Sequence, residues 1–369
     1  MKSRMKNLFS VAVLCLSLVS VSVLSGCAAG GNSAGGQNGS GQTGSGQNGS
    51  GQNGSGQEDG KISVVTTIFP PYDFVREIAG DAVDLKMLLK PGEETHSYEP
   101  TPQDIIAIQN CDVFIYTGGE NDVWVEDILS SMPDEGRLTL RLVDCVETVE
   151  EERVEGMKGT AGHSHEESEE SRTAEDAGDD YGHVHTEDEE ESVHEIDEHV
   201  WTSPVNAAQI VEEIRDLLSE ADRANRDLYA RNAAGYEEKL RELDREFREV
   251  VETSERSVLI FGDRFPFRYF ADEYGLDYYA AFPGCAGDTE PSAATMAFLI
   301  EKVKEEKVPA VLKMELSNAD IANAIAEATK TEVKVLYSCH NLSADDFENG
   351  ETYLSMMQKN VDTLKEVLN

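Results

Sequence analysis

Eight histidines occur in the sequence, and six of them fall in one stretch, "HSHEESEESRTAEDAGDDYGHVHTEDEEESVHEIDEHVWTSP", at positions 163–204. Neutral imidazole nitrogen among carboxylates is the donor set of a divalent-cation site. Four-coordinate zinc suits it best, whereas manganese takes more carboxylate oxygen. A preformed site needs rigid elements behind its ligands, and that requirement sorts the histidines. His96 lies between the strand-like run "DLKMLLK" and the helix-start signal Thr101-Pro102. His199 precedes a second such signal, Ser203-Pro204, and His340 directly follows the run "EVKVLYS". His163, His165, His183, His185 and His194 sit in a segment of little hydrophobic periodicity, with nothing to hold them. They are expected to be accessory metal donors at most, as a scavenging antenna, as a sensor, or incidentally.

The elements that must position the first three histidines alternate. "KISVVTTIFPPYDFVREIAGD" reads as a buried strand, a proline-marked turn and a helix, and "AVDLKMLLKPGEETHSYEP" as a strand and a loop. "TPQDIIAIQNCD" is a helix with Thr101 as cap, Pro102 in the first turn and Asp104 completing a capping box. "VFIYTGG" and "RLTLRLVD" are further strands. Helix is expected from Val205 to about Thr253, with a break near 221–225. A second alternating half follows: "SVLIFGD", "RFPFRYFADEYG", "LDYYAAFPG", "SAATMAFLIEKVKEEK", "VPAVLKME", "NADIANAIAEATK", "EVKVLYS" and the closing helix "YLSMMQKNVDTLKEVLN". Strands alternating with helices imply mainly parallel sheets. The expected fold is α/β, two lobes joined by a long helix, with ligands at the carboxyl ends of strands between them.

The formal charge of −41 argues against nucleic acid and anionic membrane surfaces as partners and favours a cation. Residues 147–199 carry 21 acidic and 3 basic side chains, so repulsion is expected to leave this segment without regular structure. The first residues, "MKSRMKNLFSVAVLCLSLVSVSVLSGC", read as a secretory leader, basic and then apolar. Its Leu24-Ser25-Gly26-Cys27 is similar to the bacterial lipobox, in which Cys27 carries lipid. Residues 28–60, rich in "GQNGSGQ", are too apolar-poor to fold and form a tether. Cys111, Cys145, Cys285 and Cys339 remain. Three full pairings or four thiols are all open.

"GEETHSYEPTPQD", "DEHVWTSP", "YFADEYGL" and "YLSMMQKNVDTLKEVL" resemble the zinc-uptake substrate-binding lipoproteins of bacterial ABC importers, from Lys61 to Asn369. The resemblance implies two α/β lobes bridged by a long helix, a metal at their interface, and an acidic histidine-rich loop. It makes His96 and His199 the first two ligands. The position of the third family histidine is held by Arg264, which cannot ligate a metal; the neighbouring Asp263 is a possible substitute. His340 matches the loop of the fourth ligand and restores a third histidine. Glu315 is a further carboxylate within reach of the cleft. Cys285 and Cys339 flank this region as ligands or as a disulfide.

The expected organisation is therefore a leader at 1–27, a tether at 28–60, an N-terminal lobe at 61–203 that includes the acidic loop 147–198, a linking helical region at 204–254 and a C-terminal lobe at 255–369. The expected function is extracytoplasmic capture of Zn²⁺ and its delivery to an ABC permease and its ATPase, by a monomer anchored to the membrane through Cys27 and without catalysis. Mn²⁺ is a second cargo to test. A secreted zinc hydrolase is the alternative from another class, but it lacks an HExxH helix or an evident general base. A surface adhesion module, serving cell adhesion, would need exposed aromatic patches.

Overall fold

The computed structural model describes residues 60–93, 98–119, 122–133, 136–157, 195–285 and 290–369. His96, the five loop histidines and Cys27 lie outside them. The chain begins β1 (Ile62–Thr66), α1 (Phe69–Ala79), β2 (Val83–Met87), α2 (Pro102–Asn110), β3 (Val113–Tyr116), α3 (Val123–Ser131) and β4 (Leu138–Arg141). These strands make a parallel sheet in the order β2-β1-β3-β4. Then come α4 (Pro204–Ala221) and α5 (Arg226–Thr253), followed by β5 (Val258–Phe265), α6 (Arg268–Tyr274), β6 (Asp277–Pro283), α7 (Ala293–Glu306), β7 (Ala310–Lys313), α8 (Asp320–Thr329), β8 (Glu332–Val335), α9 (Ala344–Glu348) and α10 (Tyr353–Val367). The second sheet, also parallel, is ordered β6-β5-β7-β8.

Local chemistry explains most boundaries. Thr101 and Asp104 form the expected capping box on α2, and Ser203 caps α4 by accepting from the Asn206 N–H at 3.3 Å. The long helical run breaks where Asp222 collects Ala224 N–H, Asn225 Nδ2 and Tyr229 Oη, bonds that replace the helical ladder. Gly275 closes α6 at φ 65°, a left-handed conformation that glycine takes without a Cβ penalty.

Roughly 42 Å of α5 packs against α1, α4, α6 and α10. Its buried face, Tyr229, Ala233, Tyr236, Leu240, Leu243, Phe247 and Val250, belongs to one continuous apolar core that takes in residues from both sheets. The C-terminal helix α10 locks the halves together. Tyr353 donates its backbone N–H to Asp73 and its hydroxyl to the Trp201 carbonyl. Among the described residues no helix is long and apolar enough to cross a membrane.

Two differences from the sequence-based expectation matter for the site. The acidic segment is not free of structure throughout, because its two roots pair. Glu150 bridges Ile196 in antiparallel sense, Glu151 N–H donates to Glu195 C=O at 2.8 Å, and Asp197 N–H donates to Val149 C=O at 2.9 Å. These backbone groups are partly buried against α6 and β6, where charge repulsion counts for less than hydrogen-bond satisfaction. In addition, β5 runs on to Phe265, with an irregular register between Phe261 and Arg264, which decides where Asp263 and Arg264 point.

Candidate metal centre

His199 stands where the extended root 195–197 turns into a single 3₁₀ turn, Val200–Thr202, just ahead of α4. Asp197 Oδ1 accepts both the His199 backbone N–H at 2.8 Å and ring Nδ1 at 3.0 Å. Thr202 Oγ1 donates to the His199 carbonyl at 2.8 Å. With Nδ1 held by a carboxylate, the proton belongs on Nδ1 and the lone pair on Nε2. That Nε2 is buried and has no hydrogen-bond partner among the described residues. Burial works against a charged His199, but Asp197, Glu198 and Glu151 outweigh it and raise its pKa. The ring is therefore more basic than an ordinary imidazole, with Nε2 aimed away from its carboxylate.

His340 arrives from the segment after β8, where Cys339 turns the chain at φ 58°. Its ring lies 5.4 Å from that of His199, nearly perpendicular at 83°. Trp201, fully buried, packs beside both imidazoles at 5.6 and 5.0 Å and is itself held by Nε1–H donating to the Ser338 carbonyl. The loop that carries His340 is stitched to the other lobe. Asn341 Nδ2 donates to the Lys90 and Glu93 carbonyls, both at 2.9 Å, and Gly92 N–H donates to Leu342 C=O.

These side chains enclose a cavity of about 40 Å³ lined by Glu93, His199, Arg264, Met314, Glu315 and His340, with Gly284 in its wall. That is room enough for one ion. A Cβ on Gly284 would come within 3.2 Å of His199 Cε1, so the glycine lets the chain pass close to the ring.

Glu315 lines the cavity from the end of β7. Its oxygens accept from Ser338 N–H at 2.8 Å and Ser338 Oγ at 2.9 Å, and burial pushes its pKa up to about 6. Asp263 does not line the cavity. One of its oxygens accepts from Arg264 N–H and the other from Met314 N–H, so it serves the junction of β5 and β7. Arg264, the next residue, faces the cavity instead, because successive strand residues point to opposite sides. All four cysteines are free thiols. Burial raises the pKa of Cys285 and Cys339 well above the ordinary thiol value, and neither lines the cavity. Among the described residues no three His, Cys, Asp or Glu side chains form a complete metal cluster. His199 and His340 are the pair brought together. Glu93, three positions before His96, reaches the same cavity.

Sequence reading passed over Asp197, Trp201 and Glu93. The local signal was an aspartate two residues before His199 and a tryptophan two after it, in "DEHVW".

Residues 64–367 match the family model for ZnuA, zinc-uptake complex component A, periplasmic. The chain is 33% identical over 308 residues to the zinc-binding lipoprotein AdcA of Streptococcus pneumoniae, covering 84% of this chain and 56% of that protein. It thus spans about half the length of the AdcA relatives it matches. It is 31% identical over 311 residues to the high-affinity zinc uptake system protein ZnuA of Bacillus subtilis, covering 84% and 88%. The Zn(II)-bound ZnuA-like domain of S. pneumoniae AdcA superposes with a TM-score of 0.63 at 29% identity, covering 84% of this chain and 99% of that one. With its two parallel sheets, its bridging helix and its paired imidazoles, the chain belongs to the ZnuA family of zinc-uptake components.

Proposed function

We propose that this protein captures Zn²⁺ outside the cytoplasm and hands it to an ABC permease, with no chemical change in the metal. The observation that carries this reading is the buried Nε2 of His199, which has no hydrogen-bond partner among the described residues. It lines an ion-sized cavity opposite a second imidazole and has its other nitrogen fixed by Asp197. The names of the relatives point to the same cargo. His199 and His340 would supply two nitrogen donors, His96 a third and Glu315 a carboxylate oxygen; Asp263, engaged by two backbone N–H groups, is the weaker candidate. Nitrogen-rich ligation favours zinc over manganese.

Capture proceeds as loss of water from the ion against donors already in place. The Nδ1–H of His199 stays on Asp197 while Nε2 takes the metal, and any proton on Nε2 must leave first, so affinity falls with pH. Glu315 and Glu93 offset the ion's charge, and the permanent charge of Arg264 opposes it. Anchoring through lipidated Cys27, a monomeric state, the lobe limits 61–203 and 255–369 with the linking region 204–254, and an accessory role for His163, His165, His183, His185 and His194 complete the proposal.

The test is calorimetric Zn²⁺ titration of the wild-type chain, His199→Ala, and a variant lacking residues 159–193. One tight site is expected in the wild type and in the deletion, and none in His199→Ala. Tight binding that vanishes with the deletion and persists in His199→Ala would overturn the site.

A further inference from the structure

Val149 and Asp197 face each other at the root of the acidic segment. In a regular antiparallel pair such residues exchange two backbone hydrogen bonds. Here one is made directly, Asp197 N–H to Val149 C=O at 2.9 Å. In place of the other, the Tyr269 hydroxyl is inserted. It accepts from Val149 N–H at 3.3 Å and donates to Asp197 C=O at 2.8 Å. Tyr269 comes from the first turn of α6, in the C-terminal lobe, and is nearly fully buried.

The neighbourhood repeats the pattern. Cys285 N–H donates to Glu151 Oε1 at 2.8 Å, Tyr278 Oη–H to Glu152 at 3.2 Å, and Arg268 pairs with Glu152 at 3.2 Å. Each joins a root residue of the acidic segment to β6, α6 or the residues next to them. The backbone position of Asp197 is therefore set by α6 as well as by its own ladder, and Asp197 is the residue that aims His199.

We propose that Tyr269 is a positioning residue of the zinc site: its hydroxyl, wedged between Val149 and Asp197, fixes the carboxylate that orients the His199 ring. This rests on the zinc-binding reading above. Removing the hydroxyl has two structural outcomes. Either the Val149–Asp197 pair closes by the width of an oxygen atom, or two buried backbone groups are left without partners. The first shifts Asp197 and the His199 ring with it; the second removes a restraint on the Asp197 backbone that holds the ring's carboxylate in place.

The experiment uses the full-length chain as wild type, Tyr269→Phe, Asp197→Ala and the double variant. Zn²⁺ affinity is read by competition with a chromogenic chelator, and ligand geometry by the visible absorption of the Co²⁺-loaded protein. Far-ultraviolet circular dichroism of the metal-free forms confirms folding. Tyr269→Phe is expected to weaken Zn²⁺ by about 10-fold, the range for groups that orient a metal-bound histidine, and to move the Co²⁺ bands. In the Asp197→Ala background the same substitution is expected to add nothing, because its effect travels through Asp197. Unchanged affinity, weaker affinity with unmoved Co²⁺ bands, or additive effects in the double variant would each overturn the assignment. Absence of tight zinc binding by the wild type would instead defeat the functional reading itself.

Discussion

Replacing Asp197 by alanine tests the proposed metal centre most directly. Asp197 is 1% exposed and gives one oxygen to both the backbone N–H and Nδ1 of His199, at 2.8 and 3.0 Å. Its loss leaves Nδ1–H buried without an acceptor and frees the ring to rotate. Loss of such a second-layer partner typically costs 10–100-fold in metal affinity, which corresponds to about 1.4–2.7 kcal/mol. A second effect runs the other way. Asp197 also draws a proton onto His199, so its removal relieves proton competition for Nε2. The lost hydrogen bond acts at every pH, whereas the relief fades as pH rises and the wild-type ring deprotonates. The ratio of the variant's Kd to the wild type's should therefore grow with pH towards the full 10–100-fold. Asp197→Asn keeps an oxygen for Nδ1–H without the charge and should fall between the two. Chelator competition at several pH values, with the metal-free fold checked by circular dichroism, measures this. A folded Asp197→Ala protein that binds Zn²⁺ as tightly as wild type at high pH would refute the argument that Asp197 orients the ligand.

Two further outcomes concern the scaffold. Asp73 is buried, paired with Arg76 and bonded to Tyr353 N–H, yet burial raises its pKa from 3.8 to about 6. The folded state therefore holds this proton more tightly than the unfolded one. Its contribution is fully present below about pH 4 and is lost as pH rises to 6, a change of about 3 kcal/mol. Asp73→Asn should flatten that part of the stability profile in urea titrations between pH 4 and 7, and an unchanged slope would show that the slope comes from other groups. Gly262→Ala should lower stability by about 1–3 kcal/mol through overpacking, since a Cβ there collides with the Ala322 backbone of α8; a wild-type unfolding midpoint would contradict that packing.

The sequence by itself determined what depends on neighbours along the chain. Thr101, Asp104 and Ser203 cap their helices because capping bonds close within three residues. Gly275 ends α6, the apolar runs become buried parallel strands, and His199 and His340 can be picked out because each adjoins a regular element. The helix α3 carries no capping bond to mark its start in the sequence, and the five residues of α9 carry too little periodicity to separate it from loop. Only the tertiary structure decided the rest. An irregular register in β5, invisible in "FGDRFPF", turns Arg264 to the cavity and Asp263 to the Met314 backbone. The pairing of Val149 with Asp197, across 48 positions of sequence, takes its second link from Tyr269, a further 72 residues along the chain from Asp197. Hydrogen bonds between distant segments are chosen by what the packed core leaves unsatisfied, and no local pattern encodes that remainder.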